Sequence, residues 1–98
     1  MTNTNKLIAT QRVNNILEKY SDARDDDSIL YSRLLKEEYN CSDNMRYITL
    51  ERRIREGILP SRDLVTRLRR KLQQENENLR GELWTVRQNY ANVIGRII

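Results

Sequence analysis

The stretch RYITLERRIREGILPSRDLVTRLRRKLQQ, residues 46–74, decides the reading of the chain. Tyr47, Leu50 and Ile54 recur at helical spacing ahead of Gly57. Glycine accepts the left-handed backbone on which helices stop. Pro60 cannot continue a helix and biases Leu59 to an extended backbone, so Ile58 and Leu59 are expected as the buried residues of a turn. Ser61 is placed to cap a following helix by accepting from a first-turn N–H. The pattern predicts a helix over Asn44–Glu56, a turn over Gly57–Ser61 and a helix over Arg62–Glu75. Two helices joined by a short glycine-containing turn form a helix-turn-helix-like unit, residues 44–75. Tyr47, Ile48 and Thr49 also suit a short strand, which leaves a β-wing open.

Projected at about 100° per residue, the second helix separates two faces. Leu64, Val65, Leu68 and Leu72 share the arc expected to dock on a core. Arg62, Thr66, Arg69, Arg70 and Gln73 fall on the opposite arc, expected to face outward. That outward set suits DNA. Arginine bonds bidentately to guanine edges and glutamine to adenine. Arg52, Arg53, Arg55 and Lys71 suit phosphates, which fix position but carry no sequence information. Charge points the same way. Residues 46–71 hold nine basic and three acidic side chains, whereas residues 1–45 hold six and eight. The net +4 of the 98-residue chain is therefore concentrated on this unit, and such a patch favours a polyanionic partner. A basic αα-hairpin with a merely solvated face is the competing reading, since arginine is a good helix former.

Outward from this unit, the remaining apolar residues also repeat helically. Leu7, Val13, Ile16, Leu17 and Tyr20 predict a helix over Asn5–Tyr20. Ser21–Asp27 reads as an acidic connection, and Leu30, Tyr31, Leu34 and Leu35 predict a helix over Asp27–Tyr39. Asn40–Asp43 is turn-like, and residues 76–81, NENLRG, should interrupt the chain. Beyond them Leu79, Leu83, Val86, Tyr90, Val93 and Ile97 are spaced 4, 3, 4, 3, 4, a heptad-like seam on a helix over Glu82–Ile98. The seam serves either to pack onto the first two helices or to pair two copies in a homodimer. Trp84, beside it, is expected in core or dimer packing. The fold class is all-α, with a helical domain over residues 1–81 and an apolar C-terminal helix over 82–98.

Several classes of function are excluded. With no histidine and one cysteine, the chain lacks the ligands of finger-type or hydrolase-type zinc sites and the partners of Ser–His or Cys–His catalysis. Asp25, Asp26 and Asp27 invite a reading as metal ligands, but consecutive side chains diverge, and an acidic helix start capped by Asp27 or Ser28 explains them better. No enzyme, cofactor or metal is expected. Cys41 is expected to be passive in a polar turn. No run approaches the roughly 20 apolar residues of a membrane span. The N-terminus does not read as a signal peptide, and a cytoplasmic setting is expected.

ARDDDSILYSRLLKEEY (23–39) and GILPSRDLVTRLRRKLQQENENLRG (57–81) resemble a family of small, mostly uncharacterised proteins of phages and prophages of Gram-positive bacteria. The shared elements are Arg24–Asp27, Leu59–Ser61, Arg67–Lys71 and Glu75–Leu79. The resemblance implies a phage-encoded accessory protein acting in the host cytoplasm, with no firmly assigned function. It departs at the C-terminus, where an apolar seam stands in place of a charged tail. Taken together, the sequence leads to a DNA-binding accessory or regulatory protein acting on double-stranded DNA. The alternative is a non-catalytic modulator or inhibitor that binds a host or phage protein.

Overall fold

Ala9, Val13, Ile16 and Leu17 lie one and two turns apart, and all four are buried. They form the inner stripe of the central helix in a computed structural model that describes residues 3–87. The helices are α1 (Asn3–Lys19), α2 (Asp27–Glu38), α3 (Tyr47–Arg55) and α4 (Arg62–Glu75). Short 3-10 turns follow α1 (Ser21–Arg24) and α4 (Glu77–Leu79), and a further helical turn occupies residues 84–87. Among the described residues there is no strand, so residues 47–49 belong to a helix and form no β-wing. The all-α class is correct. None of these helices is long and apolar enough to cross a membrane.

α1 packs against both α2 and α4. Its stripe meets Leu30 and Leu34 of α2, Val65 and Leu68 of α4, and Ala23 and Leu79 of the two 3-10 turns. Burying each of the larger aliphatic side chains contributes about 1.5–3 kcal/mol. Leu7, assigned to this stripe from spacing, is instead exposed, because the core does not reach the first turns of α1.

The helix ends show how local chemistry sets the boundaries. The Asp26 carboxylate, rather than Asp27 or Ser28, caps α2 by accepting from Ser28 N (2.8 Å) and Ile29 N (3.2 Å). α3 begins at Tyr47, later than Asn44, because Ser42 diverts the preceding residues. Its hydroxyl accepts from Asn44 N and its carbonyl accepts from Met45 N, both at 3.2 Å. α3 ends on Gly57 at φ 78°, with Gly57 N donating to Ile54 O (3.1 Å) and Ile58 N to Arg53 O (2.9 Å), a Schellman pair. Leu59 and Pro60 are buried as the turn requires, but Ile58 is 59% exposed. The Tyr31 hydroxyl donates to Pro60 O at 2.8 Å and ties the turn to α2. Ser61 caps α4 by accepting from Leu64 N at 3.2 Å. No side chain of α3 is buried, so α3 and α4 lack the shared core of a packed helix-turn-helix pair.

Two corners use one device. Arg24 donates from Nε to Leu17 O (2.7 Å), and Arg80 donates from Nε to Gln73 O (2.6 Å). Each arginine also reaches the next carbonyl, Glu18 O or Gln74 O. A guanidinium thus satisfies the free carbonyls and the negative dipole end of α1 and of α4. At the second corner the Asp25 carboxylate accepts from Glu82 N (3.0 Å) and Leu83 N (2.9 Å), and Arg87 donates to Asp25 O. Gly81 makes this approach possible, since a Cβ there would lie 2.1 Å from Asp25 Oδ1. Gly81→Ala should therefore displace Asp25, forfeit both charge-assisted bonds and lower stability by about 1–3 kcal/mol in urea unfolding. An unchanged midpoint would remove Asp25 from this role.

Candidate nucleic-acid interface

The buried side of α4 carries Val65, Leu68, Arg69 and Gln73, with Leu64 and Leu72 half-buried. That arc is turned by roughly 60° from the one projected from hydrophobicity, at about 100° per residue. Two of the residues expected to read bases therefore face inward. Arg69 is 4% exposed and Gln73 is fully enclosed. The physical reason is a polar network that needs them there. Arg69 donates from Nε to Asp27 Oδ1 (2.6 Å), from Nη2 to Asp27 Oδ2 (3.4 Å) and from Nη1 to Gln73 Oε1 (2.9 Å). The Gln73 amide then donates to Arg24 O (2.9 Å) and Leu79 O (3.1 Å), joining the two corners. Every polar atom of the Gln73 side chain is paired, as burial demands.

The other expected contact residues divide by exposure. Arg52, Arg55, Arg62, Arg70 and Lys71 are exposed, while Arg53 and Thr66 are half-buried. Arg62 donates to Ser28 Oγ at 2.6 Å. Among the described residues none of these six cations takes part in an ion pair, in contrast to Arg67, which pairs with Asp63 at 2.7 Å on the outer face of α4. The structure thus brings Arg70 and Lys71 to the outside of α4, and Arg52 and Arg55 to the outside of α3. Arg67 and Gln74, absent from the expected set, also lie on the exposed side of α4. Their places follow once Arg69 and Gln73 are known to turn inward.

Tyr31 sits under this surface, and burial pushes its phenol above the ordinary tyrosine range. Burial likewise raises the Cys41 thiol, with the Arg53 guanidinium opposing it, so the thiol stays protonated at neutral pH. Asp25, Asp26 and Asp27 have three separate jobs, in a clamp, a cap and an ion pair. Among the described residues no group of three or more potential ligands is placed to hold a metal ion.

The C-terminal seam divides too. Leu79 is part of the core, whereas Leu83 and Val86 are 47% and 62% exposed, so these two do not pack onto the first helices. Trp84 is half-buried beneath the Arg80 guanidinium, 3.8 Å from the ring centroid. Tyr90, Val93 and Ile97 lie outside the described residues.

Arg69→Ala should lower stability by about 2–4 kcal/mol, because it strands Asp27 and one acceptor of Gln73. Arg70→Ala, one residue on, should stay within about 0.5 kcal/mol of the parent. Thermal melts followed by circular dichroism separate the two, and equal melting temperatures would return Arg69 to the surface. Compared with family models, curated proteins and solved structures, the chain has no significant match.

Proposed function

We propose that the chain is a nucleic-acid-binding accessory protein that grips the phosphate backbone through exposed cations of α3 and α4. The observation that carries this reading is the contrast within the basic segment. Arg52, Arg55, Arg62, Arg70 and Lys71 are exposed with no ion-pair partner among the described residues, while Arg69 is spent on Asp27. Unpaired surface guanidinium and ammonium groups release counterions when they meet phosphates, and this supplies affinity without sequence preference. Base reading from α4 is correspondingly reduced, since the Arg69 and Gln73 side chains are committed inside. A phage-encoded accessory role, acting in the host cytoplasm, fits the resemblance of the DDD and LPS elements. The exposed Leu83 and Val86 support pairing of two copies along the seam. A single-copy mass in sedimentation at binding concentrations would remove that pairing.

A second reading is favoured by exposed Ile48 and Ile58, which offer nothing to a phosphate and suit an apolar contact with a host or phage protein. A stoichiometric partner retained after nuclease treatment would favour it.

Anisotropy titrations of a random duplex across a salt series test the main reading. Affinity should fall linearly in log–log form, with a slope of about −0.9 for each phosphate contacted. Arg52→Ala and Arg70→Ala should each weaken all sequences alike and shallow that slope by about one contact. Absence of binding at low salt to the duplex and to a single strand of the same sequence would overturn the proposal.

A further inference from the structure

Beside the cationic surface lies an open groove of about 590 Å³, between α2, α3 and the start of α4. Its walls are Tyr31, Tyr47, Leu50 and Ile54, and Arg55 and Arg62 stand on its rim. The volume falls within the roughly 300–1,000 Å³ of small-ligand sites. Tyr47 is 74% exposed, an unusual outlay of aromatic surface on a helix that has no buried side chain. The floor is fixed, because the Tyr31 hydroxyl is already committed to Pro60 O. The rim is positive, with Glu51 as the only acid among the lining residues.

We infer that this groove takes an unpaired base of a single-stranded nucleic acid, with Tyr47 as stacking platform and Arg55 and Arg62 meeting the adjoining phosphates. The inference rests on the nucleic-acid reading above and narrows its partner. A duplex keeps its bases stacked on one another and presents phosphates to a protein surface. An apolar, aromatic recess gains nothing from it. A single strand exposes base faces, and stacking on an aromatic ring is tolerant of sequence. Charge complementarity selects this occupant over a neutral apolar peptide. Among the described residues Arg55 is exposed with no ion-pair partner, and Arg62 gives a single hydrogen bond, to Ser28. Both are placed for anions.

The test compares a single-stranded oligonucleotide with a duplex of the same sequence, using the whole chain, Tyr47→Ala and Tyr47→Phe. Tyr47→Ala should weaken the single strand by about 5- to 150-fold, the range for losing one stacked base. Tyr47→Phe should bind like the parent, and duplex affinity should not change. Tyr47 is exposed, so far-UV circular dichroism should show all three proteins equally folded. An unchanged single-strand affinity in Tyr47→Ala, or an equal loss for the duplex, would overturn the groove assignment while leaving the phosphate-gripping reading intact. Failure of both oligonucleotides to bind would overturn both. Displacement of the single strand by an acidic peptide carrying aromatic residues, but not by a peptide without them, would support an aromatic recess with a positive rim. Binding of that peptide where neither oligonucleotide binds would assign the groove to a protein.

Discussion

The Arg69–Asp27 ion pair, completed by the Gln73 amide, is the constraint on which the rest of the structure depends. It joins the middle of α4 to the first turn of α2. Gln73 extends it to the carbonyls of Arg24 and Leu79, where the chain leaves α1 and α4. Arg24 and Arg80 cap the same two helices, and Asp25 fastens the turn after the second corner. A chain this short buries a modest apolar core. Polar bonds at enclosed positions then carry unusual weight, because each is costly to leave half-made. The same network orients α4, and so decides which of its arginines meet solvent.

Much of the fold is legible in the residues. The limits of α4 follow from Ser61 and the interruption after Glu75, and Gly57 ends the preceding helix as glycine should. The stripe of α1 is plain from Val13, Ile16 and Leu17. These signals are local: a cap, a left-handed residue, a period. What escapes is set by distant partners. A hydrophobic projection assigns arginine and glutamine to solvent, and nothing near Arg69 reveals a carboxylate 42 residues earlier in the chain. Asp25 likewise clamps residues 57 and 58 positions away. The DDD run and the stretch that ends at Leu79 meet at the corners, where Asp25 clamps Glu82 and Leu83 and Gln73 bonds the carbonyls of Arg24 and Leu79.

The candidate site changes character accordingly. Part of what reads in sequence as a base-recognition face, Arg69 and Gln73, is internal scaffolding, while Arg62 and Arg70 of the same face stay exposed. Most of the basic residues of α3 and α4 stay exposed, and Arg69 alone among them is buried. Tyr47, which opens the helical spacing of α3, is largely exposed and lines a groove. α3 is lightly packed, with no buried side chain, so a change on its surface costs the core little.

A double-mutant cycle in urea on Asp27→Ala, Arg69→Ala and the pair tests the central claim most directly, because it isolates their interaction from other losses. The network account predicts a coupling of at least about 1 kcal/mol, with the second substitution costing much less once the first is present. Additivity within about 0.3 kcal/mol would contradict it and would leave α4 free to turn its arginines outward.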